Sequence, residues 1–223
     1  MQIAPLLKIG RGVTALIGGG GKTALMETLA AELQKTGRVI ITTTTHIRRP
    51  AQYETLTDAD EAAVRAALAR ERVLCVAGRE ENGKLCAPPL AMEALAQLAD
   101  YVIAEADGAA QLPLKAHAPH EPAVPACAQR VVLVMGADGM GRPIREACHR
   151  SALYARLAGV SEDAPVTPSL AARVVNAEGY GDRIYINKVE TADALEAAQA
   201  VARQVSCPVA AGSLHRRGYL CLR

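Results

Sequence analysis

The sequence predicts an α/β protein, a mostly parallel sheet with helices packed on both of its faces. Three observations carry this prediction. Short apolar runs rich in β-branched residues recur along the chain, and helix-period segments lie between most of them. The runs are near-continuously apolar rather than alternating, as strands buried on both faces are.

The elements follow in order. VTALI (13–17) is the first strand. Residues 22–35 carry Leu25, Met26, Leu29 and Leu33 on one helical face, with Gly37 as a stop. RVIIT (38–42) and RVLCVA (72–77) are strands around a helix at 58–70, and ENGKL (81–85) reads as the turn of a small hairpin. A helix at 89–98 leads to the strand YVIAE (101–105). After VVLVM (131–135) come helices at 145–158 and 168–177, the second with Thr167 as N-cap and Pro168 at its first position. RIYIN (183–187), a helix at 191–204 capped by Thr191, and the weaker strand PVAAG (208–212) complete the pattern. With no repeat or linker, residues 1–223 read as a single domain.

Half of the residues are hydrophobic, enough for a full core, but Phe and Trp are absent. Ala, Leu and Val must fill it, with six Tyr as the only aromatics. A formal net charge of +2 gives no electrostatic reason for a nucleic-acid or membrane partner. The six cysteines form no C-x-x-C pair and read as reduced thiols. MQIAPLLKIGRG is too short and polar for a signal peptide, and no apolar run reaches the roughly 20 residues of a membrane span. The expectation is a soluble cytoplasmic protein.

In open parallel sheets, ligands bind at the carboxyl ends of the strands. GGGGKT, TTTTHIRRP, ADGAAQLPLKAH, GADGMGRP and NKVE each follow a strand, so glycines, hydroxyls, acids and cations gather at one edge. LIGGGGKTALM (16–26) resembles G-x-x-x-x-G-K-[ST], except that Leu16 stands where the leading glycine belongs. The requirements of a phosphate loop are still met. Gly18, Gly19, Gly20 and Gly21 offer backbone amides, a helix starts at once, and Lys22 and Thr23 follow for phosphate charge and Mg²⁺. The prediction is a P-loop NTPase-like domain.

Glu105-Ala106-Asp107-Gly108 is the second element. Glu105 ends a buried strand and is the candidate Mg²⁺ acid beside Thr23, Asp107 then orienting water or substrate. The reverse assignment is the alternative. Gly108 allows a close backbone approach to a γ-phosphate. Thr44 and Thr45 are either phosphate or metal contacts of a switch-like segment, or ordinary strand residues. Asn187, Lys188 and Glu190 resemble the N-K-x-D base-reading motif with Glu for Asp, leaving ATP and GTP both open. The segment 108–128 has prolines at 113, 119, 122 and 125 and cannot be a helix or central strand. A loop of this length is functional or mobile, and it is read as an active-site loop. Lys115, His117, His120 and Arg142 are candidates for an anionic second substrate. His117, His120 and Glu121 have spacings a metal could use, although a solvated loop histidine is the plainer reading.

GGGGKT, IITTTTHI, EADGAAQLPLKAHAPHEPAVP, VVLVMGADGMGRP, the HR of CHRSALYARLAG, INKVE and AGSL together resemble the YqeC-type selenium-dependent hydroxylase accessory proteins, over roughly residues 10 to 215. The resemblance implies a P-loop nucleotide-binding protein that helps to mature selenium-dependent molybdenum hydroxylases. It marks 18–23, 42–46, 105–108, 115–122, Asn187 and Lys188 as family positions. The implied partners are a nucleotide, a molybdopterin-type cofactor or selenium donor, and a molybdenum hydroxylase. An NTP hydrolase or NTP-dependent transferase using Mg²⁺ with ATP or GTP is the leading expectation. A small-molecule kinase, an ATP-dependent ligase, a GTP-gated metallochaperone and an inactive scaffold are the rivals.

Overall fold

The computed structural model describes residues 2–223. Nine strands form one sheet: β1 (Gly12–Gly18), β2 (Val39–Thr43), β3 (Glu54–Thr57), β4 (Val73–Ala77), β5 (Tyr101–Glu105), β6 (Ala128–Gly136), β7 (Arg183–Asn187), β8 (Val209–Ser213) and β9 (Gly218–Cys221). Their spatial order is β9-β8-β7-β6-β1-β5-β2-β4-β3. Every pairing is parallel except that of β8 with β9. β3 and β9, the two edge strands, are the ones the sequence reading missed. ETLT has one apolar residue in four, and the apolar stretch of GYLC is only three residues long, short for a strand signal.

The helices are α1 (Ile3–Leu6), α2 (Lys22–Leu33), α3 (Glu61–Leu68), α4 (Met92–Leu98), α5 (Ile144–Ala147), α6 (Ser151–Ala158), α7 (Pro168–Glu178) and α8 (Ala192–Ala202). Strand alternation divides them between the faces. Leu16 packs with α1 and α2, whereas Ala15 and Ile17 pack with α5 to α8, and Val13 with α3 and α4. Leu25, Met26, Leu29 and Leu33 of α2 are all buried, as their spacing requires. Tyr154 and Tyr185 are the bulkiest fully buried side chains, so two tyrosines supply the aromatic volume that Phe and Trp usually give.

The caps are where the sequence places them. Thr167 accepts a hydrogen bond from the Leu170 amide, and Thr191 from the Ala194 amide. Gly37 closes the end of α2 by donating its N–H to the Leu33 carbonyl. The expected helix at 145–158 is broken. Cys148–His149 form a short parallel pair with Leu114–Lys115, and Arg150 takes a positive φ of 58° before α6 starts. The break serves the proline-rich segment, because the Ala116 amide donates to the His149 carbonyl. Among the described residues no helix is long and apolar enough to cross a membrane.

ENGKL forms the expected turn, between Glu80–Glu81 and Lys84–Cys86. His46–Ile47 adds a third antiparallel strand to this hairpin. Ile47 and Leu85 are its buried face.

Candidate functional site

β1 lies between β6 and β5, so its carboxyl end is flanked on both sides by strand ends. The glycine loop there is strained in a way only glycine tolerates. Gly20 has φ 72°, and a Cβ on it would lie 2.2 Å from the Gly136 nitrogen. The amides of the loop are not all free for phosphate, which corrects the expectation for its first three glycines. The Gly18 N–H donates to Asp107 Oδ2 at 2.8 Å, Gly19 to the Val134 carbonyl and Gly20 to the Leu112 carbonyl. Those bonds brace the loop. The N–H groups of Gly21, Lys22, Thr23 and Ala24 open α2 and have no acceptor among the described residues. They lie at the end of the helix where its dipole favours negative charge.

Asp107 is the hub of the site and is fully buried. Lys22 Nζ lies 3.0 Å from Oδ1, while Lys115 Nζ (3.3 Å) and His117 Nε2 (2.8 Å) approach Oδ2. Burial by itself raises the Asp107 pKa. The His117 hydrogen bond, the two lysines and the Gly18 amide outweigh it and hold the carboxyl down at about 2. Oδ1 has the Lys22 charge beside it but no aligned hydrogen-bond donor. Lys22 also donates to the Gly18 carbonyl at 2.6 Å, which leaves part of its three-donor capacity unused.

His117 is not the solvated loop histidine of the plainer reading. Its side chain is buried between two carboxylates, with Nδ1 2.8 Å from Glu178 Oε2 and Nε2 facing Asp107. Burial lowers its pKa, but the bonds to Asp107 and Glu178 reverse this and raise it above the ordinary histidine value. Both shifts make stability depend on pH. His117 contributes stability below about pH 6.5 that is lost as pH rises through its raised pKa. Asp107 contributes stability above about pH 3.9 that is lost as pH falls through about 2. In urea denaturation, the stability lost on His117→Gln is therefore expected to be greatest near pH 6 and to shrink toward pH 9. A difference that is flat or grows with pH contradicts a charged, doubly paired His117.

Glu105 sits where β5 meets β2 and β1, paired with Thr43 on one side and Leu16 on the other. It is 6% exposed, and the Thr23 hydroxyl donates to its Oε1 at 2.7 Å. Burial raises its pKa against the opposing pull of Lys22 and Thr23. The Thr44 amide donates to the Glu105 carbonyl, while Thr44 Oγ1 is buried with no hydrogen-bond partner. Thr45 has a turn role instead, its amide donating to Thr43 Oγ1.

The proline-rich segment is bolted down rather than loose. Besides the Gly20 to Leu112 bond, the Gly136 amide donates to the Pro113 carbonyl and the Ala123 amide to the Ala106 carbonyl. Lys115, expected to meet an anionic substrate, is buried and spent on Asp107, on Glu121 at 2.9 Å and on the Gly108 carbonyl. Arg150 pairs with the same Glu121 oxygen at 3.0 Å. The structure does not bring His120 and Arg142 to the hub. His120 is exposed with Arg150 3.5 Å away, and exposed Arg142 donates to the Glu146 carbonyl. Gly108 has open space where a Cβ would stand, so close packing does not require glycine there.

Asn187 joins the third motif to the loop. Its Nδ2 donates to the Gly20 carbonyl at 2.8 Å, and its Oδ1 accepts the Leu214 amide. Lys188 pairs with Asp138 at 2.7 Å, and Glu190 accepts the Ser213 hydroxyl at 2.7 Å. A groove of about 1100 Å³ runs between Ala24 and Thr28 of α2 and Asn187, Lys188, Glu190 and Leu214. It starts where the free amides of α2 end.

The model of the YqeC protein family matches residues 14–152. The uncharacterized protein YqeC of Escherichia coli (strain K12) is 36% identical over 176 residues, covering 75% of this chain and 69% of that protein. Among solved structures, the signal recognition particle 54 kDa protein from Aeropyrum pernix K1 in complex with GDP matches with 15% identity and a TM-score of 0.40. That match covers 95% of this chain but 44% of the other, so the chain spans less than half of its length. With the family model matching most of its length and a relative at more than one-third identity, this chain belongs to the YqeC family.

Proposed function

We propose that the protein binds a nucleoside triphosphate with Mg²⁺ and acts as an NTP hydrolase or NTP-dependent transferase in maturing selenium–molybdenum hydroxylases. The observation that carries the nucleotide reading is the opening of α2. Four unpartnered amides stand there beside Lys22, with the Thr23 hydroxyl on Glu105 2.7 Å away. The maturation role rests on the family resemblance, with a molybdopterin-type cofactor or selenium donor and a hydroxylase as partners.

The donor set suits Mg²⁺, a hard cation that takes oxygen ligands. Thr23 Oγ1 and Glu105 would hold it. Mg²⁺ when bound neutralises phosphate charge. The Gly21 to Ala24 amides bind phosphate oxygens, and Lys22 adds charge from the Asp107 side. Asp107, whose low pKa keeps it ionised, orients a water or acceptor through Oδ1. Catalysis by this arrangement is positioning and charge stabilisation. Asn187, Lys188 and Glu190 read the base in the groove. The direct Asn187 to Gly20 bond favours one second reading, a GTP-gated switch in which the base end and the phosphate loop move together.

Glu105→Gln tests the metal corner. It keeps the volume and the Thr23 contact but removes the charge. The expected result is that Mg²⁺ no longer strengthens nucleotide binding, while metal-free binding is kept. An unchanged Mg²⁺ increment transfers the metal to Asp107 and refutes this assignment.

A further inference from the structure

We propose that His46, Glu81 and Cys86 form a Zn²⁺ site with one exchangeable coordination position, on the small antiparallel sheet beside the nucleotide edge. It is independent of the nucleotide site and rests on no part of that reading.

Strand alternation builds the cluster. In this sheet His46 is paired directly with Cys86, and Ile47 with Leu85. Glu81 is paired with Lys84, two residues from Cys86 on the same strand face. Ile47 and Leu85 are buried in the core, so His46, Glu81 and Cys86 share the outer face. One ligand atom from each lies within 4.8 Å of the other two. Tetrahedral zinc with bonds of about 2.0–2.3 Å separates its ligand atoms by roughly 3.4–3.8 Å. Side-chain rotation by about an ångström closes that gap without moving a backbone held in a ladder.

The chemistry selects the ion. One imidazole nitrogen, one sulfur and one carboxylate oxygen form a borderline set, which suits zinc and is poor for Mg²⁺ or Ca²⁺. Three protein ligands leave a fourth position for water or a small anionic ligand. His46 and Glu81 are exposed and Cys86 is half-buried, so the ion can enter and that position faces solvent. Arg79 Nε lies 2.8 Å from Glu81 and must give it up. That pair is exposed and contributes little in water, so zinc displaces it readily. The Cys86 thiol loses its proton on binding. The sheet stands close to the nucleotide edge. His46 is two residues after Thr44, and the Lys84 charge is near enough to favour ionised Glu105.

The test uses the full-length, metal-free protein titrated with Co²⁺ and then Zn²⁺. One equivalent of Co²⁺ is expected, with a thiolate-to-cobalt charge-transfer band and visible bands of tetrahedral intensity, all lost when Zn²⁺ displaces it. Cys86→Ser is expected to lose the charge-transfer band and to weaken Zn²⁺ binding about 100-fold or more, while binding nucleotide as wild type does. Cys221→Ser, at another exposed thiol, is expected to change neither. Glu81→Gln, at an exposed position, is expected to keep the band but weaken Zn²⁺. A wild-type protein without the band, a band that survives Cys86→Ser, or Zn²⁺ affinity unchanged by Glu81→Gln would overturn the proposal.

Discussion

Replacing Asp107 with Ala is expected to lower the unfolding free energy by about 3–5 kcal/mol, measured by urea denaturation near pH 7. The size follows from what the carboxylate holds. Lys22, Lys115 and His117 converge on it, and the side chains of Lys115 and His117 are fully buried. Removing the anion leaves those charges without water and without their shared partner. Glu121 still faces Lys115, and Glu178 still faces His117, so the cations are not stripped of every partner. The Gly18 amide also loses its acceptor, which loosens the first residue of the glycine loop. Asp107→Asn keeps the volume and one acceptor and is expected to cost less. A loss below about 1 kcal/mol, the level of an exposed ion pair, would mean that the hub is not a buried charge cluster.

Lys22→Ala is expected to weaken nucleotide binding about ten- to hundredfold, equivalent to roughly 1.5–3 kcal/mol for charge-assisted hydrogen bonds to phosphate. Two effects oppose each other within that figure. The phosphate loses its cation, but the wild-type protein must also share Lys22 between phosphate, Asp107 and the Gly18 carbonyl. Calorimetric titration separates the effect from misfolding, since Thr23 and the α2 amides remain. Affinity unchanged by the substitution would mean that Lys22 serves only Asp107, as an internal counter-ion.

The parts of the site written in short local spacings were legible in the sequence. Gly21, Lys22 and Thr23 precede a helix, and Glu105 ends an apolar strand, so their neighbourhood at the sheet edge followed from topology alone. The pairing that makes Asp107 a hub did not. Glu178 is 61 residues from His117, at the end of a helix whose own periodicity explains its presence, and no local signal links the two. The break at Cys148 to Arg150 was hidden for a related reason. Residues 145–158 have helical period throughout, and only pairing with Leu114–Lys115 overrides it. The free amides also moved. Four consecutive glycines suggested a phosphate cradle from Gly18 onward, but the Asp107, Val134 and Leu112 contacts that occupy the amides of its first three glycines come from distant segments. His46, Glu81 and Cys86 have no compact metal-binding spacing, and only the register of a two-residue strand brings His46 opposite Cys86.

The most direct test of the account is calorimetric titration of the wild-type protein with non-hydrolysable ATP and GTP analogues, with and without Mg²⁺. One site per chain is expected for at least one nucleotide, tighter with Mg²⁺, and the preferred base identifies what the Asn187 and Glu190 end of the groove reads. Folded protein that binds neither analogue would contradict it and would make the opening of α2 a braced turn rather than a phosphate site.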